Sequence, residues 1–454
     1  MPTHTSPNGG FLTRLMHRAG LPLKAAAVLA IFGIGSPVLG QGVALRAVSP
    51  VSESMGGAVT AAPIDAAGAL HWNPASISGL GGSEMSFGMG VILAQSELSS
   101  RVEAGAYGPY GPATTLSGSN RSEPGAVPVP TMAMVWQSDD SPWTFGFGTY
   151  AIGGSRVNYP SSTTNPILMP QQSTLFGLGR LSAEVEIFQI APTVSYAVTD
   201  RFSLGFAPTV SVARMVASPL FLGPKDNSDG GLPTYSSGVG TRYVWGGGFQ
   251  VGAYYTTPSD WHFGASIKSP QWMEPFRYKT EDELGRPRTV TYHLDYPMIV
   301  SLGVAYSGWE RWIFSCDTRY FNYASTSGFK DLGVGAAGNV NGLDWNNIVA
   351  VAFGVQRQVT DHVYVRFGYS VNENPIDSDA AQFNVASPLI IKHAVHTGLS
   401  YMFADNWMMN LAYVHCFEND ASGPLHSTTG PLAGTEVTST AAADAVSLGF
   451  TKRF

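Results

Sequence analysis

The sequence predicts an all-β chain closed into a fourteen-stranded antiparallel transmembrane β-barrel, with a separate N-terminal segment in its lumen. Three observations predict it. Six short polar turns recur at spacings that leave room for two strands and one loop. Six of the ten tryptophans lie within a few residues of those turns. The final strand runs to the last residue and ends on Phe454.

Residues 1–40 read as an export leader rather than as part of the fold. They carry Arg14, Arg18 and Lys24 and no acidic residue, then an apolar run from Ala25 to Phe32 and small residues at Gly40 and Gly42. A basic start, an apolar stretch and a small-residue exit mark a secretory signal peptide, with cleavage expected near Gly40-Gln41. Gly33, Gly35 and Pro37 interrupt the run, which falls short of the ~20 apolar residues that cross a bilayer as a helix.

The whole chain has 25 basic and 32 acidic residues, and without the leader's three cations the balance is 22 against 32, or −10. Only 13% of residues are charged. A nucleic-acid partner would need a basic face, and a soluble domain usually carries about 25% charge. No later stretch has 18 uninterrupted apolar residues. Few charges, 52 glycines and 11% aromatics suit a membrane barrel instead. Cys316 falls on the lipid-facing set of its strand and Cys416 on a lumen-facing set, so two free thiols are expected.

The short turns are Ser138–Pro142, Thr199–Arg201, Pro258–Asp260, Gly308–Arg311, Thr360–His362 and Ala404–Asn406. Asp, Asn, Ser, Pro and Gly close tight turns. With both ends of the barrel at the periplasmic side, six such turns make fourteen strands. These are expected near 84–95, 129–137, 143–157, 181–198, 202–217, 240–256, 261–269, 288–306, 312–323, 347–358, 363–372, 389–403, 407–417 and 441–454, with the longest outer loop at 96–128.

Alternation supports the layout. Val363, Val365, Phe367, Tyr369 and Val371 form one face, and Tyr364, Arg366, Gly368 and Ser370 the other. Around residue 316, Asp317 and Arg319 share the inward face while Phe314, Cys316 and Tyr320 face lipid; the two charges read as a solvated structural pair. Trp136, Trp143, Trp261, Trp309, Trp312 and Trp407 form the periplasmic aromatic belt of such a barrel. Val446, Leu448, Phe450 and Phe454 face outward on a last strand that pairs with the first, since lipid tolerates no open edge. A terminal aromatic resembles the signal read by barrel-insertion machinery.

Residues 41–82 do not alternate. With only Arg46, Glu53 and Asp65 as charges, they suit burial in the lumen better than a disordered tail, which is usually charge-rich. The stretch Gly56-Gly57-Ala58, Asp65-Ala66 and Trp72-Asn73-Pro74-Ala75 resembles the N-terminal hatch of the FadL/TodX family of outer-membrane transporters for hydrophobic compounds. Ile64 stands where an acidic residue often precedes Asp65, and Ser76-Ile77-Ser78 replaces the usual Gly-Leu-Ala. The resemblance implies a 41–82 hatch marked by Asp65, Asn73, Pro74 and Ala75, an 83–454 barrel of the family's strand number, and uptake of long-chain fatty acids or similar molecules. Pro74 holds Asn73 extended, and the Asn side chain can bond nearby backbone. A fixed turn and a movable one both fit these residues.

Hydrophobic cargo needs an apolar landing surface. Candidate clusters in outer loops are Ile167-Leu168-Met169, Leu175-Phe176, Leu220-Phe221 and Trp272-Met273 with Phe276. Arg277 and Lys279 beside the last could meet a carboxylate; mutual packing of the clusters or solvated loop charges are the alternatives. The family's sideways exit lies at a kink in its third strand, and here Gly153-Gly154 occupies that strand. Motifs for catalysis fail on context. Gly333–Gly338 matches a dinucleotide pattern without a following helix, no G-x-S-x-G occurs, His393 and His396 fall on opposite strand faces, and Asp226–Gly230 departs from a calcium loop. The expectation is a monomeric, non-enzymatic outer-membrane transporter contacting lipid and a hydrophobic ligand, with no cofactor, metal or nucleic acid. A porin for hydrophilic solutes, or a barrel-anchored adhesin or enzyme, is the alternative.

Overall fold

A computed structural model describes residues 41–454 apart from 175, 332 and 405; the expected leader at 1–40 lies outside the described residues, as do Leu175 of one loop cluster and Asp405 of one turn. The described chain starts with a segment holding two short helices, α1 (Pro50–Ser54) and α2 (Ala66–Trp72). The wall follows: β1 (Glu84–Val102), β2 (Ala126–Gln137), β3 (Trp143–Tyr159), β4 (Leu181–Thr199), β5 (Phe202–Ser218), β6 (Val244–Thr256) and β7 (Trp261–Lys268). It continues through β8 (Met298–Tyr306), β9 (Trp312–Asn322), β10 (Ile348–Thr360), β11 (Val363–Asn372), β12 (His393–Ala404), β13 (Trp407–Gly423) and β14 (Thr435–Arg453).

Each wall strand pairs antiparallel with the next, and β14 returns to β1 in an unbroken register from Glu84↔Arg453 to Val102↔Thr435. The chain is therefore the closed fourteen-stranded barrel that the turn count predicts. Closure matters because every edge N–H and C=O must find a partner where lipid offers none. Asp260, Arg311 and Asn406, in three of the predicted turns, have φ of 61, 66 and 62°. Asn and Asp tolerate this left-handed conformation better than most residues.

Alternation sorts the wall. Phe87, Leu204, Phe263, Leu302, Phe367, Leu399 and Leu448 face outward and exposed, while Ser195, Gln250, Ser301, Ser370, Ser400 and Asn410 are buried on the inside. Near the turns, Trp143 packs on Tyr196, Trp261 on Tyr306, and Trp309 and Trp312 both on Phe314. Cys316 and Cys416 are both free.

Two spans differ from expectation. The strand expected over 288–306 is two elements: Pro287–Tyr292 pairs with Phe276–Glu281 in a separate hairpin, and β8 begins only at Met298. Pro297 separates them, having no N–H for a ladder. The strand expected at 84–95 runs on to Val102, where a short strand Leu116–Arg121 also pairs with it. The expected 96–128 loop is shortened accordingly.

The wall's glycines make room for the N-terminal segment. A Cβ on Gly205 would lie 2.2 Å from the Ala75 nitrogen, on Gly252 2.1 Å from Asn73 Oδ1, on Gly264 2.1 Å from the Thr60 carbonyl oxygen, and on Gly368 2.2 Å from the Gly56 nitrogen. Backbone meets backbone at Gly205, Gly264 and Gly368, and at Gly252 the wall meets the Asn73 side chain, approaches that a Cβ would obstruct.

Candidate functional site

The segment's helices are short and depend on their caps. Ser49 and Ser52 form a reciprocal capping box on α1. Asp65 caps α2 by accepting from the Gly68 N–H at 3.3 Å and receives the Ser49 hydroxyl at 2.6 Å. Burial raises the carboxyl of Asp65 above its ordinary range and lifts that of Glu53 from 4.5 to about 7.

Trp72, Asn73, Pro74 and Ala75 lie against β4, β5, β6 and β7. Asn73 Nδ2 donates to the Thr60 carbonyl and to the Ala253 carbonyl of β6, both at 3.0 Å, and Asn73 Oδ1 accepts from the Ala75 N–H at 3.1 Å. Pro74 packs at Gly252. The Ala75 carbonyl accepts from Ser195 of β4 at 3.1 Å, and the Trp72 carbonyl from Gln250 at 3.0 Å and Ser266 at 2.5 Å.

Asp317 and Arg319 of β9 are not the solvated pair expected from sequence. They are 0% and 1% exposed and 2.6 Å apart. Asp317 accepts from the Val59 and Thr60 N–H groups, each at 2.9 Å. Arg319 donates to the Gly57 carbonyl at 2.5 Å and stacks over Trp72, 3.6 Å from the ring centre. Their shared inward face is legible in the sequence; their partners, some 260 residues away, are not. Lys268 of β7 is likewise marked by no local pattern in the sequence. It is buried, with Nζ 3.2 Å from His71 Nδ1 and 3.1 Å from Gln189 Oε1.

Among the described residues the longest break in the wall's pairing lies between β2 and β3, and a shorter one lies between β4 and β5, where Pro192 and Pro208 interrupt the ladder from Ile190↔Val210 to Val194↔Phe206. β2 and β3 pair only from Thr131↔Tyr150 to Gln137↔Thr144. Beyond this, β2 continues along β1 and β3 along β4. The stretch is bounded at its outer end by the Glu123 N–H donating to the Asn158 carbonyl at 2.8 Å. Two causes lie in the sequence. Pro128 and Pro130 bring no N–H to the ladder, and β3 shifts register between Ala151 and Gly153, a bulge beside the Gly153-Gly154 pair. The N-terminal segment takes up the backbone groups that the bulge releases. Leu45 N–H donates to the Ile152 carbonyl at 2.9 Å and Gly154 N–H to the Val43 carbonyl at 3.2 Å. A Cβ on Gly153 would come within 2.8 Å of that Val43 oxygen.

Behind the interruption lies a cavity of about 250 Å³. Val43–Ala47 of the segment, inward residues of β1, β13 and β14, and the unpaired parts of β2 and β3 line it.

The structure divides the loop residues singled out in the sequence. Leu168, Leu220, Phe221 and Phe276 are buried in the apolar core of the mouth, with Phe176 partly buried against it. Arg277 and Lys279 alternate with buried Phe276 and Tyr278, so they are exposed on the hairpin's other face. Trp272 is 55% exposed, its neighbour Met273 packing inward. The expected grouping of Trp272, Arg277 and Lys279 with the apolar cluster is therefore not formed: strand alternation turns all three away from it.

A closed transmembrane barrel with a folded segment inside and an interrupted β2–β3 seam defines an outer-membrane channel-type protein. A family model described as Outer membrane protein transport protein (OMPP1/FadL/TodX) matches residues 38–454, and the chain belongs to that family of transporters for hydrophobic compounds, which are not enzymes. Solved structures share the fold. A Pseudomonas aeruginosa FadL homologue is 16% identical at TM-score 0.69, covering 91% of this chain and 100% of its own. The Ralstonia pickettii toluene transporter TbuX is 17% identical at TM-score 0.63, covering 90% of this chain and 99% of its own. The P. putida toluene transporter TodX is 15% identical at TM-score 0.61, with coverage of 90% and 99%. No curated protein sequence matches the chain.

Proposed function

We propose that the protein passively admits long-chain fatty acids or similar hydrophobic molecules and releases them sideways through the wall between β2 and β3. In this reading residues 41–82 are the hatch, 83–454 the barrel and 1–40 the export leader, and a single barrel is the transport unit. The observation that carries the reading is the cavity behind the interruption, bounded by the segment on one side and by unpaired β2 and β3 on the other. A molecule leaving there enters lipid without crossing water. Monoaromatic hydrocarbons are a second cargo class, suggested by the toluene transporters of the same fold.

Restoring donors to β2 tests the exit. The double variant Pro128→Val, Pro130→Val supplies two N–H groups that can bridge to β3. Uptake of a radiolabelled long-chain fatty acid into cells is expected to fall at least fivefold, with barrel folding checked by heat-modifiable electrophoretic mobility. Full uptake by a folded double variant would sink the lateral exit.

A further inference from the structure

We propose that Arg46 is a specificity residue, receiving the anionic headgroup of an amphiphile in the cavity behind the wall interruption. The subsite so formed favours a carboxylate with an apolar tail over a neutral hydrocarbon of the same length. The proposal rests on the reading of that cavity as part of the transport path.

The surroundings of Arg46 carry the argument. The cavity is lined largely by small or apolar groups, among them Val414, Ala441 and Ala443. Arg46 lines it too, on backbone fixed to the β3 bulge through the Leu45 N–H. A guanidinium carries five N–H donors in a planar fork that matches a carboxylate. Arg46 spends them poorly. Nη1 reaches the weak acceptor Cys416 Sγ at 3.6 Å, Nη2 reaches the Ile391 carbonyl at 3.3 Å, and Nε is buried with no partner. Among the described residues no carboxylate lies within 4.0 Å of it.

Three acidic residues line the same cavity. Glu184 pairs with Arg156 at 3.5 Å, the Glu53 carboxyl accepts the Ser447 hydroxyl, and Glu186 lies beside Glu184 with Arg156 and Arg214 as its neighbouring cations. A cation held in apolar surroundings with weak acceptors is costly, and an incoming carboxylate supplies the charge-assisted bonds it lacks. A neutral hydrocarbon would leave it as it is.

The test uses the full mature chain in lipid nanodiscs, with decanoate and decanol as probes of equal length and different headgroup. The wild type is expected to bind decanoate at least tenfold more tightly than decanol. Arg46→Gln is expected to bring that ratio to near one, and Arg46→Lys to keep part of it. Ala443→Trp, which fills the cavity, is expected to remove saturable binding of both. A decanoate preference that survives in Arg46→Gln, or saturable binding that survives in Ala443→Trp, overturns the subsite. Decanoate uptake by cells separates the two readings. If Arg46→Gln loses the binding preference while uptake stays at the wild-type level, the subsite stands and the cavity's place on the path fails.

Discussion

Asn73 makes a side-chain bond to each of two carbonyls, one in the segment and one in β6, and accepts a third bond from Ala75. Each such bond contributes about 1 kcal/mol net, and a partner left unsatisfied costs more. One residue thus joins the segment's own turn to the wall. Glu53, on α1, works in the opposite sense. Burial raises its carboxyl from 4.5 to about 7, against the lowering effect of the Ser447 hydroxyl and with the Asp65 carboxyl adding to the rise. An acid with its folded value raised binds more protons folded than unfolded, so its favourable contribution is complete below about 4.5 and lost as pH climbs through about 7. Amide protection over residues 50–58 is therefore expected to be higher at pH 5 than at pH 8, after correction for intrinsic exchange. Glu53→Gln is expected to flatten that dependence. Equal pH slopes in the two proteins would show that the anchorage is set elsewhere.

Among the elements, β3 is the one whose local departure shapes everything near it. Its bulge releases the Ile152 carbonyl and Gly154 N–H to the segment, and Gly153 has no side chain because Val43 passes so close. Gly153→Val is expected to undock residues 43–47 while leaving β3–β4 pairing intact, read as lost amide protection confined to 43–47. Protection unchanged there would mean the close approach is not required. Wall strands were legible in the sequence because period-two alternation and Asp/Asn/Pro turns are local signals. Gly153-Gly154 stood out for the same reason. Pro128 and Pro130 were equally visible, yet they mean an interruption only once β3 is known to be their neighbour. The hairpin inside the expected 288–306 strand was missed because Thr289–Tyr292 alternates like wall, and only Pro297 marks the break. Arg46, Lys268 and the docking of Asp317 and Arg319 depend on contacts across the lumen, which no local pattern encodes.

For the whole molecule, the proposed hatch predicts conductance. The intact protein in planar bilayers is expected to pass little ionic current, because residues 43–80 are largely buried and bond to the inner face of the wall. Removing residues 41–82 is expected to open a large, steady conductance. Large currents from the intact chain would instead favour the hydrophilic porin.

Glu84 stands at the first residue of β1, opposite Arg453 of β14, and accepts from both the Ala66 N–H at 2.7 Å and Arg453 Nε at 3.0 Å. One carboxylate therefore bridges the closing seam and the start of α2. The segment reaches across the lumen to β9 while its far end continues directly into β1. Once the first and last strands meet, it is encircled. The same side chain that secures the seam thus fastens the encircled segment to it.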